Sequence, residues 1–197
     1  MIEIYMNGEN INAEIENEKT VGDILLSFEQ TCEENNAAVI GIKINGKQID
    51  SESFDEESTK ELGQNDKFEF TVVTENNIKE SFNNLSNLFE ELSNNMEEIP
   101  GKLQNNQKKE VSETINKLAD SVDQFSHLAA LASLFPETFS QKNIEGRNLK
   151  EFFTDFSSIL LDFENALKND DTVLIGDLAE YEICPRLKSI SDSLKTF

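Results

Sequence analysis

The side chains best equipped for chemistry are a single histidine, His127, and two cysteines, Cys32 and Cys184. Asp123 stands four residues before His127, one helical turn away, a spacing that predicts a hydrogen bond rather than a metal centre. A di-metal site on a helical bundle needs inward glutamates and two Glu-x-x-His pairs. No glutamate stands three residues before His127, so no metal is expected. Neither cysteine has a second cysteine at metal-ligand or redox spacing, and each falls within an apolar helical pattern; both are expected as buried, reduced thiols. Nucleophilic catalysis would need a base beside the nucleophile and an oxyanion-binding turn. The cysteines are far from His127 in sequence and no such turn is supplied, which leaves only groups that the fold itself brings together. The eight glycines are scattered, with no glycine-rich run between a strand and a helix, so no phosphate loop is expected. Catalytic, cofactor-binding and metal residues are accordingly expected to be none.

The elements that would position any site fall into two halves. Seventeen basic residues against 39 acidic ones give a formal charge of −22. Such a field repels phosphate backbones and anionic lipid, so neither nucleic acid nor a membrane surface is an expected partner. No apolar run is long enough for a signal peptide or a membrane span, and the expected location is the cytoplasm. Near residue 74 the apolar period changes from two to about three and a half, which predicts two domains, 1–74 and 75–197.

In the second half, Ile78, Phe82, Leu85, Phe89, Leu92, Met96 and Ile99 form an unbroken heptad seam. Pro100-Gly101 is expected to end this helix, and a second series (Val111, Ile115, Leu118, Val122, Phe125, Ala129, Ala132) to fold back along it over about 104–135. After a connector from Glu137 to Arg147, Asn148 with Glu151 caps an aromatic-rich third helix carrying Phe152, Phe153, Phe156, Ile159, Leu160, Phe163 and Leu167. Asn169-Asp170-Asp171 turns the chain into a fourth, with Leu174, Leu178, Tyr181, Leu187, Ile190 and Leu194 on its inner side. Short links make neighbours antiparallel, so the expectation is an antiparallel four-helix bundle. Within the fourth helix, Pro185 removes a donor and collides with the Tyr181 carbonyl, which predicts a kink or restart. Gly176 permits close approach of another helix. The kink is either plain packing or the foundation of a ligand or partner site, and the nearby acids Asp171, Asp177, Glu180 and Glu182 read as a solvated surface.

In the first half, alternating Ile2, Ile4 and Met6, then Asn7-Gly8, then Ile11, Ala13 and Ile15 predict a hairpin with one buried face. Thr20 with Asp23 predicts a capping box for a helix burying Val21, Leu25, Phe28 and Cys32. Strands follow at Val39–Ile44, after Asn45-Gly46, and at Phe68, Phe70 and Val72, with a helical turn at Ser58–Leu62 between the last two. Thr20-Val21 with Ile24-Leu25, the Ile42-Lys43-Ile44-Asn45-Gly46-Lys47 hairpin, and Leu62-Gly63 with Asp66 before Phe68 resemble the ubiquitin-like β-grasp fold, particularly the sulfur-carrier proteins of thiamine and molybdopterin synthesis. The resemblance covers residues 1–74 and implies a fold more than an activity. Carriers of that family end in a free Gly-Gly whose carboxylate is activated, whereas here the last strand runs into Thr74-Glu75-Asn76-Asn77 and a helix.

The fold class expected is therefore α+β: a β-grasp domain followed by an all-α bundle. The expected function is that of a noncatalytic interaction or adaptor protein, docking a protein partner or a second copy of itself. From Leu128 to Phe135 the second helix reads Leu-Ala-Ala-Leu-Ala-Ser-Leu-Phe, apolar on every side, and such a helix must be covered all round. The candidate partner-binding residues are Leu128, Leu131, Phe135, Phe139 and Phe152, with Leu131 and Phe135 as anchors. Alternatives are a chaperone for a secreted or assembled protein, and an enzyme using a cleft between the domains.

Overall fold

A computed structural model describes residues 2–13, 15 and 17–197. The chain is α+β and divides into two compact units, Met1–Asn77 and Ile78–Phe197.

In the first unit, β1 (Glu3–Met6) and β2 (Glu9–Ile11) form a hairpin, α1 (Val21–Glu34) follows, and β3 (Ala37–Ile44) and β4 (Lys47–Ile49) form a second hairpin. A short α2 (Phe54–Ser58) precedes β5 (Lys67–Thr74). The mixed sheet has the order β2-β1-β5-β3-β4, with β1 parallel to β5 and the other pairs antiparallel. Both hairpins turn on Asn-Gly pairs with positive φ, 51° and 88° at Asn7-Gly8 and 52° and 82° at Asn45-Gly46, as a tight two-residue turn between twisted strands requires. Both asparagines also tie their turns to β5. Asn7 accepts from the Val72 N–H and donates to its carbonyl, while Asn45 accepts from the Lys67 N–H and donates to Asp66.

Helix α1 buries Val21, Ile24, Leu25 and Cys32 in one core with Ile4, Ile44, Phe68, Phe70 and Val72 of the sheet. Phe28 stacks on Phe70 at 3.8 Å. The capping box is present: Thr20 Oγ1 accepts from the Asp23 N–H, and Asp23 accepts from Thr20 and Lys19. Those two backbone donors hold the Asp23 carboxyl below the ordinary aspartate range. A carboxyl depressed by folding contributes stability above its unfolded pKa, and the contribution is lost as pH falls through the folded one. Asp23→Ala is expected to lower the urea midpoint at pH 7, with the gap to the parent protein closing on acidification toward pH 3. A gap that stays constant with pH would assign the loss to something other than the charged cap.

Two details of this unit differ from the sequence expectation, and a third is a bulge it did not address. Met6 is exposed and β2 ends at Ile11, so the first hairpin buries Ile4 rather than a full alternating row. The helical turn expected at Ser58–Leu62 lies earlier, because the Asp50 carboxylate accepts from both the N–H and the hydroxyl of Ser53 and starts the turn there. Ile40 is exposed because the β3–β5 register shifts between Val39 and Gly41, leaving it as the extra residue of a bulge.

In the second unit, α3 (Glu75–Glu97) buries Ile78, Phe82, Leu85, Phe89, Leu92 and Met96, and Ile99 is buried too. Pro100 does not end the helical stretch. It sits in the first turn of α4 (Ile99–Gln104), where a missing N–H costs nothing. The reversal comes instead at Asn105-Asn106, with Asn106 at φ 58°. Helix α5 (Lys108–Ala132) then buries Val111, Thr114, Leu118, Ser121, Phe125, Leu128 and Ala132. This is a heptad seam rotated from the expected one. Thr114 and Ser121 replace Ile115 and Val122 on the inside because their hydroxyls bond the Glu110 and Lys117 carbonyls of the same helix, so burial leaves neither unsatisfied.

The expected connector is structured. It forms α6 (Pro136–Phe139) and a small hairpin, β6 (Asn143–Ile144) with β7 (Arg147–Asn148), and it buries Phe139 and Ile144. Helix α7 (Leu149–Lys168) starts at Asn148, which accepts from the Glu151 N–H.

The fourth helical stretch has three parts: α8 (Thr172–Asp177), a π turn (Leu178–Ile183) and α9 (Cys184–Leu194). Rather than a simple kink, Pro185 is accommodated by the π turn, in which the Cys184 N–H reaches the Ala179 carbonyl five residues back. The wider turn relieves the clash a proline would make with the carbonyl four residues earlier. It also rotates the preceding residues, so Tyr181 and Leu174 are exposed rather than inward. Buried Gly176 faces Pro100, where a Cβ would meet the proline ring at 3.5 Å.

Pairs across the helices run in opposite sequence directions. Glu91 meets Lys117 and Phe82 meets Phe125 and Phe139; Ser93 meets Cys184, Glu90 meets Lys195 and Phe82 meets Phe197. Among the described residues, no helix is long and apolar enough to cross a membrane.

Candidate functional site: apolar grooves beside α5

The C-terminal half of α5 is apolar all round by composition, and the fold divides those side chains among three settings. Leu128 is buried on the inner seam, while Leu131 is half-buried one turn on. Both line a groove of about 430 Å³ whose other wall is Ser81, Asn84, Leu85 and Leu88 of α3. His127 and Gln124 stand on its α5 side. Leu134, just beyond the helix, is exposed, and Phe135 is half-buried at the start of α6.

Phe139 and Phe152, the other two candidate residues, belong to the interior. Phe139 packs on Phe82 at 5.7 Å between ring centroids, and Phe152 packs on Phe153 and Phe156. Of the five candidates, then, Leu131 and Phe135 offer accessible surface, Leu128 forms groove floor, and Phe139 and Phe152 are covered by the chain's own helices.

A second groove, also of about 430 Å³, runs along the other side of α5. Ile115, Val122 and Ala119 of α5 face Leu160, Phe163 and Leu167 of α7 there, with Asp123 and Glu164 among the lining. Sequence reasoning missed it because Ile115 and Val122 were placed on the inner seam. The available signal was that α5 carries two overlapping heptad registers sharing Val111, Leu118, Phe125 and Ala132, only one of which can face inward.

The residues with chemical potential are dispersed. His127 is exposed in the α3/α5 groove, whereas Cys184 lines a separate cleft between α3 and the π turn. Cys184 is half-buried rather than buried, its Sγ 3.4 Å from the Ser93 hydroxyl, which donates to the Cys184 carbonyl. Cys32 is buried, and burial followed by the Glu29 charge pushes its thiol up. Among the described residues, no three His, Cys, Asp or Glu side chains converge as metal ligands.

Residues 2–74 match the family described as the TP0873 N-terminal domain, and residues 80–193 match the family described as domain of unknown function DUF8042. A protein of Treponema pallidum (strain Nichols), described as uncharacterized, is 22% identical over 202 residues, covering 98% of this chain and 96% of its own length. No solved structure matches. Since the second match takes in more than half of the 197 residues, the chain belongs to the DUF8042 family.

Proposed function

We propose that this chain is a noncatalytic docking protein, built from a β-grasp unit and an antiparallel four-helix bundle, that binds a protein partner through apolar side chains bordering α5. The β-grasp reading is supported by a mixed sheet in which parallel β1 and β5 lie at the centre with α1 packed against it. The bundle reading is supported by the reversed order of side-chain pairs between α3 and α5 and between α3 and α9. Carrier chemistry is not part of the proposal. Strand β5 passes directly into α3 at Thr74–Glu75, where sulfur carriers present a free Gly-Gly.

The observation that carries the proposal is the half-exposed row flanking the buried seam of α5. Leu131 on one side, with Leu134 just beyond the helix end, and Ile115 and Val122 on the other, keep apolar surface in water. Covering such surface contributes about 25 cal/mol per Å², and interfaces gather their energy at a few anchors of this kind. Leu131→Asp tests it. The variant is expected to keep its free energy of unfolding within about 1 kcal/mol, as befits a half-buried site. It is also expected to lose the stoichiometric protein partner, or the dimer seen by light scattering, of the parent chain. Cooperative unfolding of the variant would make Leu131 a core residue and overturn the proposal, as would a folded variant that retains the partner.

A further inference from the structure

We propose that Asn7 and Asn45 are self-modification sites: each is locked while its hairpin turn is tied to β5, and each converts to aspartate or isoaspartate when that turn opens. The reaction needs only water and the glycine that follows. The Gly8 or Gly46 backbone nitrogen attacks the Cγ of the preceding asparagine. A C–N bond forms, the Cγ–Nδ2 bond breaks, and ammonia leaves carrying the proton lost by the glycine nitrogen. Water then opens the cyclic imide at one of its two carbonyls, giving aspartate or isoaspartate. Of the chain's asparagines only these two precede glycine, whose missing side chain leaves the attacking nitrogen unshielded.

The folded turn forbids the attack. Closing the five-membered imide requires Cβ and the glycine nitrogen to eclipse one another about the asparagine Cα–C bond. The φ pairs of 51° and 88°, and of 52° and 82°, are those of a type I′ turn, whose first central residue has a ψ of about 30°, and that leaves the two atoms nearly opposite. Asn7 is held there by donating its N–H to the Phe70 carbonyl at 2.9 Å, while its carboxamide accepts from the Val72 N–H at 2.9 Å and donates to the Val72 carbonyl at 3.0 Å. Asn45 repeats the pattern, donating its N–H to the Lys67 carbonyl at 2.8 Å, accepting from the Lys67 N–H at 2.9 Å and donating to Asp66 at 3.0 Å. Rotating ψ far enough to close the ring cannot keep these bonds. Space and water do not hinder the reaction, because both glycines are exposed and a Cβ at either would meet no atom within 4 Å.

The product cannot return to the closed turn. A carboxylate has no N–H to donate, so at the first site the Val72 carbonyl loses its side-chain partner. At the second, a new negative charge stands against the Asp66 carboxylate, which already accepts from the Gly63 N–H. Isoaspartate also adds a backbone methylene between residues that the hairpins set opposite each other, Met6 with Glu9 and Ile44 with Lys47. Each conversion therefore favours further opening of the same sheet, and the first unit records its own excursions as a one-way covalent change.

The full chain is incubated at mildly alkaline pH with and without denaturing urea, and aspartate and isoaspartate at positions 7 and 45 are quantified by peptide mapping. Conversion is expected to be about tenfold or more slower in the folded chain at both positions. Asp66→Ala removes the acceptor of the Asn45 carboxamide and should speed position 45 about tenfold without moving position 7, which reports any wider loosening. Equal rates with and without urea, or a position 45 unmoved by Asp66→Ala, would overturn the proposal. If Asp66→Ala speeds both positions, the sheet itself has opened and an exchange of partners decides. Asn45→Asp is expected to lower the melting temperature, and adding Asp66→Asn, which puts the donor on the other side of the same contact, is expected to restore it. A double variant no more stable than Asn45→Asp alone would equally overturn the proposal.

Discussion

Phe125→Ala is expected to lower the stability of the helical unit by about 3–5 kcal/mol, the range for deleting a fully buried aromatic side chain. The ring is fully buried on α5, and its centroid lies 6.0 Å from Phe82, 6.1 Å from Phe89 and 4.4 Å from Phe153. It thus joins two turns of α3 to the start of α7, and alanine would remove the contacts of α5 with both helices at once. Each aromatic pair adds about 0.5–1.5 kcal/mol beyond the area it buries. Collapse of the surroundings is limited because the neighbours are held from other directions, Phe82 by Phe139 and Phe197, and Phe153 by Phe152 and Phe156. Urea unfolding followed by helical circular dichroism measures the change, with half-buried Phe153→Ala as the milder comparison. A loss below about 1.5 kcal/mol for Phe125→Ala would mean that the three helices do not meet at this ring.

The same ring shows what could be read from sequence and what could not. The α3 seam was legible because it holds six apolar positions and a terminal Ile99 in one register, with no competing register beside it. On α5 the shared positions Val111, Leu118, Phe125 and Ala132 were legible, but the alternate positions were not. Hydropathy favours Ile115 and Val122 over Thr114 and Ser121, and it does not register that a helical hydroxyl can satisfy itself on a carbonyl of the preceding turn. The candidate site inherited that error. Turning α5 by one position leaves Leu131 half-exposed, as the docking idea needs, but it also opens the unforeseen groove against α7.

Proline marked the right places without naming the element; the restart expected at Pro185 is present, as α9 begins at Cys184 with the proline in its first turn. Both Pro100 and Pro185 mark places where the backbone changes, but the element each produces depends on what packs around it. The first fits the opening turn of α4, close to Gly176, and the second is relieved by inserting one residue into the helix. By contrast the Asn-Gly turns, the Thr20/Asp23 box and the Asn148 cap were legible, because each is decided by bonds within four residues or by φ at a single pair.

Gly22→Ala and Gly101→Ala are expected to change stability in opposite directions, although both replace a helical glycine. Alanine gains up to about 1 kcal/mol over glycine in a helix, chiefly through the entropy of the unfolded chain. At Gly101 a Cβ meets nothing within 4 Å, so that gain should appear nearly in full, at about 0.5–1 kcal/mol. At Gly22 the new Cβ would lie 2.8 Å from the Ser58 carbonyl oxygen and 3.3 Å from the Ser58 Cβ. The obstacle is backbone, and it is held in place. The Val21 N–H donates to Lys60, the Leu62 N–H donates to Lys19, and Thr20 bridges Glu61, so the segment after α2 is laced to the start of α1 on both sides of the contact. Overpacking against such a fixed neighbour costs about 1–3 kcal/mol, which exceeds the helical gain and leaves a net loss of about 1–2 kcal/mol. Larger side chains at position 22 should lose more, and Gly22→Val should break the Val21–Lys60 bond outright, visible as rapid amide exchange at Val21. If Gly22→Ala proved as stabilising as Gly101→Ala, the close approach of α1 to Ser58 would be wrong.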